Sequence, residues 1–446
     1  MPESVERLSR WERVALLALF VFLVGYAAFV EIRVATADKR RVDLDVYLRA
    51  AWAVRVGENP YAVTNERGWH YNVPPLVAIL LVPLADPPPE ADRSGYVPFL
   101  TALAVWTAFS LLCLAAGVHV LARALERASP DPAVRNRPPG SRRWWALRAL
   151  PVAACLPAIG LSLNRGLVNF PLLALLCAAL AAAVRGRRFA AGLWLAGAVC
   201  VKIIPAYLLV YPLWTRDSRW LASSALGLVI GLGVIPAAVF GPARAAGYYG
   251  DLSRSVLQPG LNLGGDRSRA NELIDMNATN SQSFQELFHN LLHPELTEQQ
   301  MPASGGVRLA HWLLSGALTL VTLRAGAGRA DSAIRTVIRF GALAMLMVAV
   351  SPASHDHYFC VNLPLVMGLV AAAEAGGGTR PPGRWLTLLL TGYVAASVLP
   401  MIPDLRILHD IRLPLLASLA LWLAGILTLC RRPNDAPAVS VPVNSQ

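Results

Sequence analysis

Ten stretches of this 446-residue chain carry no charged side chain: residues 14–30, 97–122, 149–164, 166–184, 220–243, 309–323, 340–355, 357–373, 385–403 and 413–430. A membrane-spanning helix needs about 20 apolar residues, and fewer where flanking side chains reach the interface. The runs are uniformly apolar with no period-2 alternation, so helix is the structure they permit in a bilayer. Composition agrees. Hydrophobic residues make up 55% of the chain and charged residues 15%, against roughly 25% charge in a soluble domain. Mean hydropathy is +0.47. Disorder is excluded and an ordinary soluble enzyme disfavoured. The first run starts at Val14 and lacks an A-x-A-like cleavage site, so it reads as a retained span.

The formal net charge is +12. It sits in short clusters between apolar runs and forms no basic stripe, so nucleic acid is not indicated. The clusters set sidedness. Residues 123–148 hold seven arginines against Glu126 and Asp131, which places that loop in the cytoplasm by the positive-inside rule. Arg185/Arg187/Arg188, Arg216/Arg219, Arg324/Arg329, Arg380/Arg384 and Arg431/Arg432 mark further cytoplasmic turns. Two long loops differ: residues 31–93 have eight Lys/Arg against nine Asp/Glu, and residues 244–308 five against seven. Both read as outside, with both termini inside. The expected organisation is one integral-membrane domain over residues 1–430 and a cytoplasmic, disordered tail over 431–446.

One segment tests the count. Residues 189–215 are apolar except for Lys202, with basic residues at both ends. Equal sidedness needs an even number of crossings, yet 27 residues of helix are only about 40 Å long. A broken hairpin turning near Lys202 and Pro205 resolves this, because irregular backbone is tolerated at membrane depth where it lines a cavity. With its two legs the chain has about twelve membrane helices. All six cysteines lie in or beside apolar runs and none forms a CxxC, so buried thiols are expected, with neither disulfide nor zinc site.

Chemistry-bearing residues gather outside. In the first outer loop Leu44, Tyr47, Leu48 and Ala51 repeat at helical spacing, which predicts an amphipathic surface helix with Asp43 at its start. Asp43 is either its N-cap or a general base at the water–membrane boundary. Gly57-Glu58-Asn59-Pro60-Tyr61 reads as a turn, and Tyr71-Asn72-Val73-Pro74-Pro75 leads into an apolar stretch too short to span. Residues 164–169 make a tight outer turn in which Arg165 and Asn169 either face an anion or snorkel and cap. A lysine such as Lys202 inside an apolar run either binds a phosphate or snorkels. Residues 277–284 either cap a second surface helix, marked by Phe284, Leu287, Phe288, Leu291 and Leu292, or bind sugar hydroxyls. His355-Asp356-His357 is H-x-H spacing with no further dense ligand cluster, which favours hydrogen bonding to a phosphate over a metal. Gly231-Leu232-Gly233 lies within a run and reads as packing.

Seven motifs in order resemble those of glycosyltransferase family 87, integral-membrane enzymes of the GT-C class that include polyprenol-phosphate-mannose-dependent alpha-mannosyltransferases. They are Val42-Asp43-Leu44-x-Val46-Tyr47, Gly57-x-x-Pro60-Tyr61, Tyr71-x-x-Pro74-Pro75-Leu76, Gly166-x-Val168-Asn169, Lys202-Ile203-x-Pro205, Asn280-x-Gln282-Ser283 and Ser351-Pro352-x-Ser354-x-x-His357. The resemblance implies an all-α GT-C bundle and inverting transfer of a sugar, mannose by default, from a polyprenyl-phosphate donor to a lipid or glycan acceptor outside the cell membrane. It implies catalytic roles for Asp43 as base and His357 near the donor phosphate. Candidate donor contacts are Lys202, Tyr71, Arg165 and Asn169. Candidate sugar or acceptor contacts are Tyr47, Tyr61, Asn280, Gln282, Ser283 and His355. Neither a metal nor a cofactor is expected. Leu167 stands where the family usually has Gln, and His355 where it usually has Trp. The competing architecture, a polytopic transporter or lipid-sugar flippase, calls for ionisable residues on midplane helices and repeat symmetry. Neither is evident in this chain.

Overall fold

A computed structural model describes residues 7–37, 40, 42–261, 263–266, 268–269, 272, 281–292, 303–327, 332–352, 354–375, 383–405 and 407–431. Asn280 and the tail beyond residue 431 lie outside the described residues. The chain is an all-α membrane bundle. Eight helices among the described residues are long and apolar enough to cross a bilayer. In chain order the elements are α1 (Arg10–Thr36), α2 (Leu44–Val56), α3 (Pro75–Leu80), α4 (Phe99–Arg127), α5 (Arg142–Ala154), α6 (Leu156–Arg165), α7 (Asn169–Val184) and α8 (Arg188–Val201). They continue with α9 (Ser218–Phe240), α10 (Pro242–Leu252), α11 (Phe284–Leu292), α12 (Gly305–Arg324), α13 (Ala333–Val350), α14 (Leu363–Ala375), α15 (Arg384–Val398) and α16 (Leu413–Cys430).

Burial orders the bundle. The most apolar window of α13 is 78% buried and that of α1 only 11%, so α13 is the hub and α1 faces lipid. The run 149–164 is not one straight span. It breaks at Cys155 into α5 and α6, bent by 62°. Pro151 lies inside α5 and Pro157 in the first turn of α6. Each ring removes an amide donor and crowds the preceding turn, which kinks the helix there.

The segment around Lys202 is a hairpin. Helix α8 ends at Lys202, whose backbone is extended (φ −154°, ψ 133°), and Ile204–Trp214 forms a second short leg. Arg188 Nε at the start of the first leg lies 3.2 Å from Asp217 Oδ2 just past the second. The two ends therefore share one level, as an even number of crossings requires. Helix α9 then packs against α8 along a glycine seam. A Cβ on Gly192 would lie 2.0 Å from Ser223 Oγ, one on Gly227 2.6 Å from Ala196 Cβ, and one on Gly231 2.5 Å from Cys200 Sγ. Small residues let the backbones approach this closely.

The basic loops meet at one end of the bundle. Arg142 pairs with Glu12, Arg137 with Glu374 at 3.1 Å, and Arg335 donates to the carbonyls of Gly326 and Leu429. The outer-loop motifs gather at the other end. There α2 departs from the expected half-exposed surface helix, for Leu44 to Ala51 are all buried. The reason is ionic. Arg40 reaches Asp45 Oδ1 at 3.1 Å and also pairs with Asp86, and the buried Arg49 donates from Nε to the Asp86 carbonyl at 3.2 Å. The charges on the polar side of α2 are thus neutralised against the wrapping loop. The six cysteines are free; Cys155, Cys177, Cys200 and Cys360 are buried, Cys113 half-buried and Cys430 exposed.

Candidate active site

Asp43 sits at the N-terminus of α2 but does not cap it: its side chain makes no bond to the first turn. Its place is set by the backbone. The Asp43 N–H donates to the Arg165 carbonyl at 2.7 Å. The turn holding that carbonyl needs Gly166, with φ 65° and its Cα so near α2 that a Cβ would stand 3.0 Å from Leu44 Cβ. Trp106 Nε1 pins the same turn by donating to the Gly166 carbonyl at 2.9 Å. The carboxylate is left facing Arg165, with Nη1 at 3.8 Å from Oδ2. Burial raises the Asp43 pKa above the ordinary carboxylate value, and the positive charges of Arg165, Arg67 and Lys202 oppose that rise. A desolvated carboxylate that remains ionisable is suited to general-base work.

Lys202, at the hairpin tip, places Nζ 3.5 Å from the centroid of the Tyr358 ring. Asn169, Lys202 and Tyr358 line one small void. His357 is 3% exposed, and its Nε2 has no hydrogen-bond partner among the described residues. Its carbonyl accepts from Ser162 Oγ at 3.1 Å and Asn169 Nδ2 at 3.3 Å, which fixes the backbone and leaves the ring uncommitted. That ring stacks on His355 at 5.3 Å and meets Tyr358 edge-on at 4.4 Å. Asp43, Arg165, Lys202, His355 and His357 are therefore brought together from four separate parts of the chain. They combine one carboxylate with a cluster of cations and an unengaged imidazole nitrogen.

The other candidates stand behind this group. Tyr71 is fully buried; its hydroxyl donates to the Pro74 carbonyl at 2.6 Å and accepts from the Ala78 N–H at 3.0 Å, closing the first turn of α3. Tyr61 donates to the Val73 carbonyl at 3.0 Å. Tyr47 lies one turn beyond Asp43 on α2 and packs edge-on against Tyr71 at 6.2 Å. Asn169 is spent on Ser162 and the His357 carbonyl. Ser283 caps α11 by accepting from the Glu286 N–H at 3.1 Å, and Gln282 Oε1 accepts from the Leu415 N–H at 3.2 Å. Ser283, at the end of that polar run, thus caps α11; residues 277–280 lie outside the described residues. Two further residues join the group without a sequence motif to mark them. Tyr358 follows the histidine motif and carries the lysine. Arg67, whose guanidinium lies 3.8 Å from the Trp69 ring centroid, contributes charge toward Asp43. A loop arginine gives no periodic signal, and the nearby Trp69 is the one hint the sequence offers.

Beside the site an apolar cavity of about 800 Å³ opens between α3, α4, α7 and α8. Val168 and Val201, the neighbours of Asn169 and Lys202, line one part of it, and Arg185 and Arg187 another.

A polar cluster thus lies at one end of an all-α membrane bundle, beside an apolar cavity. The model of glycosyltransferase family 87 matches residues 69–352, and the chain belongs to that family. No curated protein matches it. Among solved structures it is similar to ArnT from Cupriavidus metallidurans, both bound to undecaprenyl phosphate and in the apo state. For each the identity is 15%, the TM-score 0.38, and the match covers 93% of this chain and 77% of the other.

Proposed function

We propose that this glycosyltransferase takes its sugar from a polyprenyl-phosphate carrier and adds it, with inversion, to a hydroxyl of a lipid or glycan acceptor outside the cell. The observation that carries this reading is the meeting of Asp43, Arg165, Lys202 and the uncommitted His357 Nε2 in one site. Asp43 takes the proton from the acceptor hydroxyl. The oxygen forms its bond to the anomeric carbon as the bond from that carbon to the phosphate oxygen breaks. The electron pair leaves on the phosphate, where Lys202 and Arg165 meet the growing charge and an Nε2–H tautomer of His357 donates to it. Preorganised donors aimed at developing charge are commonly the largest catalytic term, so no proton need reach the leaving group. The cavity beside Val168 and Val201 takes the prenyl chain. Family membership makes mannose the first sugar to test, and the positive-inside rule assigns the end with the arginine loops to the cytoplasm.

The test uses purified protein with radiolabelled polyprenyl-phosphate-mannose and a panel of acceptor lipids. Transfer by the wild-type chain and its loss in Asp43→Asn supports the reading. Full activity in folded Asp43→Asn refutes the assignment of the base.

A further inference from the structure

Contacts from three sides converge on the segment that carries His355 and His357. From the residues just before α11, the Gln282 N–H donates to the Ser354 carbonyl at 2.9 Å, and Ser281 pairs with His355 in an isolated antiparallel bridge. From α6 and α7, Ser162 and Asn169 hold the His357 carbonyl. The third contact comes from beyond the family-matched region: His409 Nε2 lies 2.8 Å from Asp356 Oδ2. Asp356 immediately precedes His357, and its other oxygen is buried with no hydrogen-bond partner among the described residues. Arg412 follows, wholly buried at the start of α16, in the left-handed region (φ 58°, ψ 40°). A side chain is held there when its surroundings over-determine it. The charges of Glu286, Asp410 and Asp356 surround this arginine. The bond from the Leu415 N–H to Gln282 Oε1 at 3.2 Å closes the ring of contacts.

We propose that His409 is a positioning residue: by holding Asp356 it fixes the helical turn Asp356–Asn362 and with it the direction of the His357 ring. This rests on the reading of His357 as a donor to the leaving phosphate. It makes the connection between α15 and α16 a working part of the site.

The experiment compares His409→Ala, His409→Gln, Asp356→Asn and the double variant His409→Ala/Asp356→Asn in the transfer assay. A misdirected catalytic group costs up to roughly 100-fold. The expected result is a fall in kcat of about 10-fold for His409→Ala, with the acceptor KM within about twofold of wild type. His409→Gln should recover most of the loss, because its amide can still donate to Asp356. The double variant should be no slower than the slower single one, as coupled residues are not additive. Wild-type kcat in His409→Ala, absence of rescue by His409→Gln, or additive losses would each overturn the proposal. Should His409→Ala not fold, Asp356→Asn decides the matter, and unchanged kcat in that variant is the overturning result. Asp43→Asn runs alongside. If it remains active the reading of the base fails; if it is inactive while His409→Ala is normal, only the positioning role fails.

Discussion

Asp43 and Asp45 sit two positions apart at the same helix start, and their surroundings divide them. Asp43 faces Arg165, whereas Asp45 is fully buried against Arg40. Asp43→Asn removes no capping bond and should leave folding intact, while turnover should fall by about 10²–10⁴-fold, as when a general base is lost. Asp45→Asn should act on stability: weakening its pair with Arg40 is expected to cost about 1–3 kcal/mol, read as a lower melting temperature with near-normal turnover of the folded fraction. A pH profile separates the two further. With Asp43 as the base, activity is expected to be lost as pH falls through its pKa, which burial holds above the ordinary carboxylate value. Arg165 favours the ionised form, so Arg165→Gln should push that acid limb to still higher pH. An unshifted limb would show that another group titrates. The aspartate at the head of a helical repeat is legible in the sequence. Its escape from capping is not, because that depends on a carbonyl more than 120 residues away, at Arg165.

Within the elements, the hairpin of α8 and Ile204–Trp214 carries Lys202, the proposed donor cation, at its tip. Lys202→Ala is expected to raise the donor KM and Lys202→Arg to restore part of it, since guanidinium binds phosphate with a different geometry. Unchanged kinetics in Lys202→Ala would reduce the residue to a packing role on Tyr358. The glycine seam makes a separate prediction. Gly192→Ala puts a methyl group onto Ser223 Oγ and the Trp220 carbonyl, and overpacking of this kind costs about 1–3 kcal/mol or more. It should lower the melting temperature, and donor affinity with it as the hairpin is displaced. The hairpin follows from arithmetic on charges flanking residues 189–215. The 62° bend at Cys155 is hidden because Pro151 and Pro157 lie inside one uninterrupted charge-free run. Enclosure of α2 is hidden as well: Asp45 and Arg49 look like a solvated face until Arg40 and Asp86 close over them.

Across the whole molecule, one end gathers the arginine loops and the other the candidate site. Labelling of introduced cysteines tests which end faces out. Cys430 is exposed and should first be replaced by serine. A cysteine at Glu58, exposed between α2 and α3, should then react with an impermeant reagent in intact cells, and one at Asn136, exposed at the arginine end, should not. The reverse pattern would invert the orientation. The hairpin also bears on how the chain is made. Helix α8 has 14 residues, about 21 Å at 1.5 Å per residue, against a hydrocarbon core of about 30 Å. Its tip carries a lysine, and a charged side chain within an apolar segment is costly to insert. Neither leg can therefore leave the translocon as an independent span. The pair packs on α9, whose seam of missing side chains is cut to receive it, and the Tyr358 ring under the cation comes later still in the chain. A nascent chain stopped before α9 would hold Asp43 at the head of α2 while the Lys202 hairpin still lacked the surface it packs on.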